Sequence, residues 1–299
     1  MATGALYAGR DFKVRHDQRV KVDGGELLYT VVGRGEPVLA IHCTSIADGL
    51  ITPLLQFYPQ LLDEYQFISY YRAGYNGSTQ DRENFTIEEM ATHARQVLDH
   101  VGIDKAHVLA YSFGGVIGFQ FLLSYPERAA SGILLEPYIL RERPENVAPN
   151  NDAIMRAFET YGKGEKFLAA TTYMAEVCGP SYLSSVDVSC PLDVWDHVAV
   201  TADVTFKTDF PALANWGFAM SKADELVPDK PTMPILSVLG EDSEAAMPGF
   251  REVHAFLLDW LPQAERLGVP GVSHGLQLMD PVAIGSGIRA FLRNHPIGA

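Results

Sequence analysis

Residues 107–119 read HVLAYSFGGVIGF: an apolar run, a serine between small residues, and a second apolar run. The first run has the length and continuous apolar character of a buried strand, the second that of a buried helix. Between them, Ala110, Ser112 and Gly114 make a small-x-Ser-x-Gly pattern. A turn this abrupt leaves room only for small residues two before and two after the serine. It is either a turn that needs little side-chain volume or one built to hold Ser112 out as a nucleophile, and the flanking sequence decides.

Upstream, RVKVDGGELLYTV (20–32) reads as a hairpin about Asp23-Gly24-Gly25. PVLAIHC (37–43) and FISYY (67–71) are short apolar runs bounded by turn residues, as buried parallel strands are. Thr86 and Glu89 stand in capping-box spacing. Ile87, Met90, Ala91, Ala94, Val97, Leu98 and Val101 follow with helical periodicity, and Gly102 stops the helix. SGILLEP (131–137) is the next strand. Residues 141–230 then hold four helix-like segments, NNDAIMRAFETYG, GEKFLAATTYMAEV, LDVWDHVAVTADV and DFPALANWGFAMS, and no strand. Alternation resumes with strand PILSVLG (234–240), a helix near 249–260, a weak strand around 265–270 and a final helix from Pro281 to His295. Strand-helix alternation with continuously apolar strands predicts an α/β fold, a mostly parallel sheet covered by helices, with a helical insertion.

Bulk properties exclude several classes. The chain has 299 residues, 47% of them hydrophobic, which is enough for a sizeable core. No apolar run reaches the ~20 residues of a membrane span, and MATGALYAGRDFKVRHD lacks the unbroken apolar stretch of a signal peptide. Cys43, Cys178 and Cys190 are odd in number and far from any metal spacing, so a reduced, cytoplasmic protein is expected. A net charge of −14 argues against nucleic acid or anionic membrane as partner.

A serine nucleophile needs a base. Among nine histidines, His93 and His100 are read onto the solvated side of the 86–101 helix. His107 opens a strand, His197 and His254 sit in helical stretches, and His16 and His295 lie near the ends. His274, in VSHGLQLMDP (272–281), falls in a loop after the last strand and before the last helix. Loops at the carboxyl ends of parallel strands are where such sheets place their chemistry.

With IHCTS (41–45), YRAGYNGS (71–78), AYSFGG (110–115) and VSHGLQLMDP (272–281) in this order, the chain resembles cap-bearing α/β-hydrolases over essentially its whole length. The resemblance implies a core of residues 1–140 and 231–299 and a helical cap of 141–230, inserted after the strand that follows the nucleophile helix. It implies Ser112 as nucleophile, His274 as general base and acid, and the backbone N–H groups of Thr44 and Phe113 as the oxyanion hole. Cys43 stands where the family has glycine, Tyr71 where it has aspartate and Asn76 where it has another glycine. Cys43 is read as packing rather than nucleophilic, since nothing in its own stretch prepares a thiolate.

The third member of the triad has two candidates. Relatives commonly carry G-x-x-D after the strand here read as PILSVLG, but this chain has Gly240-Glu241-Asp242-Ser243, with serine at the expected position and Asp242 one residue early. Glu136 instead ends the apolar run GILLE, where a carboxylate is costly unless paired. Fungal-toxin lactonases of the zearalenone-degrading type resemble this second arrangement, and Glu136 is preferred.

The 141–230 segment is rich in aromatic residues, most of them expected to hold its own helices together, and Trp195 is nominated to face the pocket from the lactonase comparison. A lidded apolar pocket suits a hydrophobic ester or lactone, with no metal or organic cofactor. A homodimer is compatible with the sequence. Three rivals stay open: a carbon–carbon bond hydrolase, a cofactor-independent dioxygenase in which the serine is secondary, and a non-catalytic small-molecule receptor.

Overall fold

The computed structural model describes residues 13–298; most of the stretch read for a signal peptide lies outside them. Eight strands form one sheet: β1 (Gln18–Val22), β2 (Gly25–Gly33), β3 (Glu36–Ile41), β4 (Tyr65–Tyr70), β5 (Ala106–Tyr111), β6 (Ala129–Leu135), β7 (Ile235–Gly240) and β8 (Ala264–Val269). Their order across the sheet is β1-β2-β4-β3-β5-β6-β7-β8. β1 and β2 pair antiparallel through the expected hairpin, with Val22 opposite Gly25, and β2 also runs antiparallel to β4. Every pairing from β4 onward is parallel. Parallel strands need helices on both faces, and so β5 and β7 are buried at every position.

The helix Ile87–Val101 begins with the capping box read from the sequence. Glu89 N–H donates to Thr86 Oγ1 (3.2 Å) and Thr86 N–H to Glu89 Oε2 (2.9 Å). It ends at Gly102, φ 78°. One reading of this helix needs correction. His93 is not solvated but 3% exposed, its Nε2 2.7 Å from the Asp23 carbonyl. The hairpin turn folds over that face and supplies a hydrogen-bond partner that helical periodicity does not reveal.

Between β6 and β7 the chain is helical. The main segments are Pro144–Gly162, Lys166–Cys178, Tyr182–Ser189 and Val194–Val204, followed by a π-helical turn Thr205–Asp209 and a short helix Phe210–Ala214. The last predicted helix is thus cut short at Ala214. Its rings Trp216 and Phe218 leave the insertion and pack on Phe119 and Trp260 of the core. Tyr182–Ser189 was not anticipated. Phe158, Tyr161, Tyr173, Phe206 and Phe210 form a ring cluster with centroid separations of 4.4–5.7 Å. Such contacts stabilise by ~0.5–1.5 kcal/mol each beyond the area they bury. This cluster holds the insertion together.

Candidate active site

The carboxyl ends of β3, β5, β6 and β7 converge on one place. After β5, Ser112 takes φ 56°, ψ −119°, and the helix Phe113–Ser124 starts at once. The turn is possible because its neighbours are small. A Cβ on Gly114 would lie 2.3 Å from the His42 carbonyl oxygen, and one on Gly118 would lie 2.4 Å from Ala110 Cβ. Gly118 extends the small-residue requirement one helical turn beyond the pattern read from the sequence. Ser112 N–H donates to Leu135 O (3.0 Å) and Ser112 O accepts from Tyr138 N–H (2.9 Å), so the backbone on each side of the serine is tied to the end of β6.

His274 lies in the loop after β8. Its Nε2 is 2.7 Å from Ser112 Oγ and its Nδ1 is 2.6 Å from Glu136 Oε2. With Nδ1–H donating to the carboxylate, Nε2 accepts from the serine hydroxyl. Ser112, His274 and Glu136 are all at most 7% exposed. Burial lowers the imidazole's proton affinity below its ordinary value, against the opposing hydrogen bond and charge of Glu136. The neutral form able to accept a proton is therefore the resting form near neutrality.

Three supports of this unit went unread in the sequence. Ser243 Oγ (2.6 Å) and Gly240 N–H (2.7 Å) both donate to Glu136 Oε1, leaving Oε2 for the histidine. Tyr111 O–H donates to the His274 carbonyl at 2.6 Å. Phe250 stacks on the imidazole with ring centroids 4.2 Å apart. Only Ser243 had a signal, since it stands where relatives carry their aspartate. Asp242 is exposed, its backbone N–H bonded to Val272 O, and makes no contact with His274.

Thr44 and Phe113 line a cavity together with Ser112 and His274, which Met174, Val177, Phe210 and Leu213 of the insertion close from above. The space between these groups is narrow and only partly enclosed. Cys43 also borders it; burial pushes its thiol up to about 12, and its Sγ–H donates to Ile46 O at 3.3 Å. A thiol in that state is a packing group. Trp195 does not line the cavity. Its indole N–H donates to Asp187 Oδ1 (2.7 Å) near the surface and its ring meets Phe167 edge-on, because the helix Val194–Val204 turns that residue outward. Cys43, Cys178 and Cys190 are buried free thiols. Among the described residues no helix is long and apolar enough to cross a membrane.

A family model described as the alpha/beta hydrolase fold matches residues 53–172. A putative carbamate hydrolase, RutD, of Azorhizobium caulinodans is 34% identical over 106 residues, covering 36% of this chain and 39% of that protein. The match spans about two fifths of the length of the first curated relatives. Among solved structures, a thermophilic esterase from Thermogutta terrifontis superposes with a TM-score of 0.74 at 21% identity, covering 93% of this chain and all of that one. The enol-lactonase of Burkholderia xenovorans LB400 does so at 0.71 and 17%, covering 92% of this chain and all of that one. Strand order, family model and superpositions agree: the chain has the α/β-hydrolase fold.

Proposed function

We propose that this protein is a serine hydrolase that cleaves a hydrophobic ester or lactone through an acyl-enzyme. The observation that carries the reading is His274, whose two ring nitrogens lie 2.7 Å from Ser112 Oγ and 2.6 Å from Glu136 Oε2. Ser112 Oγ attacks the carbonyl carbon while its proton passes to His274 Nε2, and the imidazolium is stabilised by Glu136. The oxyanion is received by the N–H groups of Thr44 and Phe113, each such donor contributing ~2.7–4 kcal/mol in comparable sites. Collapse breaks the carbon–oxygen bond and the leaving alkoxide takes the proton from Nε2. Water, deprotonated by the same nitrogen, then releases the acid. With a lactone the alkoxide stays tethered to the acyl group.

Residues 141–230 act as the cap, and its apolar roof favours an apolar acyl or aryl group. The esterase and enol-lactonase among the structural neighbours agree in class with this reading. A panel of aryl esters and lactones, with product mass and an oxygen electrode, tests it. Hydrolysis with mass gain of one water is expected. Oxygen consumption with a heteroaromatic substrate would move the assignment to a dioxygenase, and saturable binding without turnover to a receptor.

A further inference from the structure

A second deeply buried pair of titratable groups lies outside the triad. Asp209, which ends the π-helical turn of the insertion, is 0% exposed, and Arg72, just after β4, is 4% exposed. They meet bidentately, Nη1 to Oδ1 at 2.8 Å and Nη2 to Oδ2 at 2.7 Å. Oδ2 accepts two further hydrogen bonds, from Thr44 Oγ1 (2.7 Å) and Tyr75 O–H (2.7 Å). Arg72 Nη2 also donates to the Cys43 carbonyl at 3.1 Å, and its guanidinium lies 4.8 Å from the centre of the Phe113 ring. The pair thus touches both residues put forward as oxyanion donors, one through its hydroxyl and one through its ring.

The loop it touches has few bonds of its own, Ile46 N–H to Thr44 O (2.7 Å) and Cys43 Sγ–H to Ile46 O (3.3 Å). Ser45 sits at φ 62°, a conformation costing of order 1–3 kcal/mol in a residue with a side chain. External bonds supply the restraint. Ser45 N–H donates to Tyr75 O–H (3.2 Å), and Ser45 Oγ is 3.0 Å from Thr205 Oγ1, also in the π-helical turn. A buried ion pair is weak evidence for stability, since apolar residues often replace one without loss. Specifying one arrangement of the groups around it is a better account of its presence here.

Resting on the serine-hydrolase reading above, we propose that Asp209, acting through Arg72 and Thr44, is a positioning residue for the oxyanion hole. The cap is then part of the catalytic apparatus: through Asp209 the 205–209 segment fixes the Cys43–Ser45 loop and with it the donors.

Steady-state kinetics on a 4-nitrophenyl ester test this with three variants, each checked for folding by circular dichroism. Thr44→Val keeps the shape and the backbone N–H but cuts the bond to Asp209. It should lower kcat by about 10- to 100-fold, less than outright loss of a donor, with KM within about threefold. Thr44→Ser, which restores a hydroxyl, should recover at least about tenfold of that loss. Asp209→Asn should lower kcat at least as far as Thr44→Val. If Asp209→Asn does not fold, the Thr44 pair decides alone. A folded Thr44→Val with kcat within twofold of the parent, a loss confined to KM, or no recovery in Thr44→Ser overturns the proposal while leaving the serine-hydrolase reading intact. A parent protein that hydrolyses no ester or lactone overturns that reading, and this inference with it.

Discussion

Ser112 and Glu136 follow directly on Tyr111 and Leu135, which are partners in the β5–β6 ladder, and both adopt left-handed backbone, φ 56° and 39°. Two neighbouring strand ends thus hold the same unfavourable geometry, by different means. The serine's turn is permitted by small residues that its own stretch supplies, Gly114 beneath the His42 carbonyl and Gly118 against Ala110. The glutamate's is imposed from elsewhere: its N–H bonds to Val238 O, and Gly240 and Ser243 seize Oε1. One is a local device and the other is assembled only when β7 and its following turn arrive. Ser243, at the place after β7 where relatives were expected to carry an acid, donates instead to the Glu136 carboxylate at the end of β6.

The sharpest break on the local side is Ser112→Ala. It should cut kcat by ~10⁶-fold if the triad acts as one unit, while thermal unfolding stays within about 2 °C, a shift of less than ~1 kcal/mol. A melting shift far beyond this would mean that the serine holds the turn as well as the chemistry.

On the assembled side, Glu136→Gln keeps the volume but offers an amide that can turn its N–H₂ toward the imidazole and favour the wrong tautomer. The equivalent change in the serine-protease triad costs ~10⁴ in turnover, and about 10³–10⁴ is expected here. Asp242→Asn is the matched control, expected within about threefold of the parent, since surface substitutions act weakly. Should Asp242→Asn be the inactive variant, the acid has been assigned to the wrong strand.

Ser243→Ala tests the link between the old acid position and the new. It removes one donor to a buried carboxylate, a bond of ~1.5–3 kcal/mol, so kcat should fall by about 10-fold, with part of the loss appearing as lowered stability. Ser243→Asp would place two carboxylates together and should do worse than alanine. If it does better, the site accepts its acid from either strand.

The smallest effect is in the pH profile. Burial lowers the His274 pKa below 6.5, and the proposed mechanism uses the neutral form. Log kcat/KM should therefore be level through neutrality and fall as pH drops through that lowered pKa, with unit slope, rather than beginning to fall at 6.5. A limb centred above 6.5 would mean that the Glu136 charge outweighs burial.

The strands, the hairpin about Gly24, the capped helix 87–101 and the serine turn were all legible in the sequence. Each is encoded by residues close in the chain: alternation or continuity of apolar groups, a capping box, a run of small side chains. His274 was legible for a related reason, as the histidine in a loop between the last strand and the last helix. What could not be read lies in contacts across the chain. Glu136 and His274 are 138 residues apart and Glu136 and Ser243 107, and such pairs impose no periodicity on either stretch. The sequence by itself therefore left Glu136 and Asp242 both in play, sent His93 to the surface and turned Trp195 toward the pocket. Tertiary structure decided which carboxylate bonds to His274 and where the other two side chains lie, because a polar side chain's environment depends on which distant backbone reaches it. The same holds for Asp209: nothing in TFKTDF distinguishes it until Arg72, Tyr75 and Thr44, more than 130 residues earlier, close around its carboxylate.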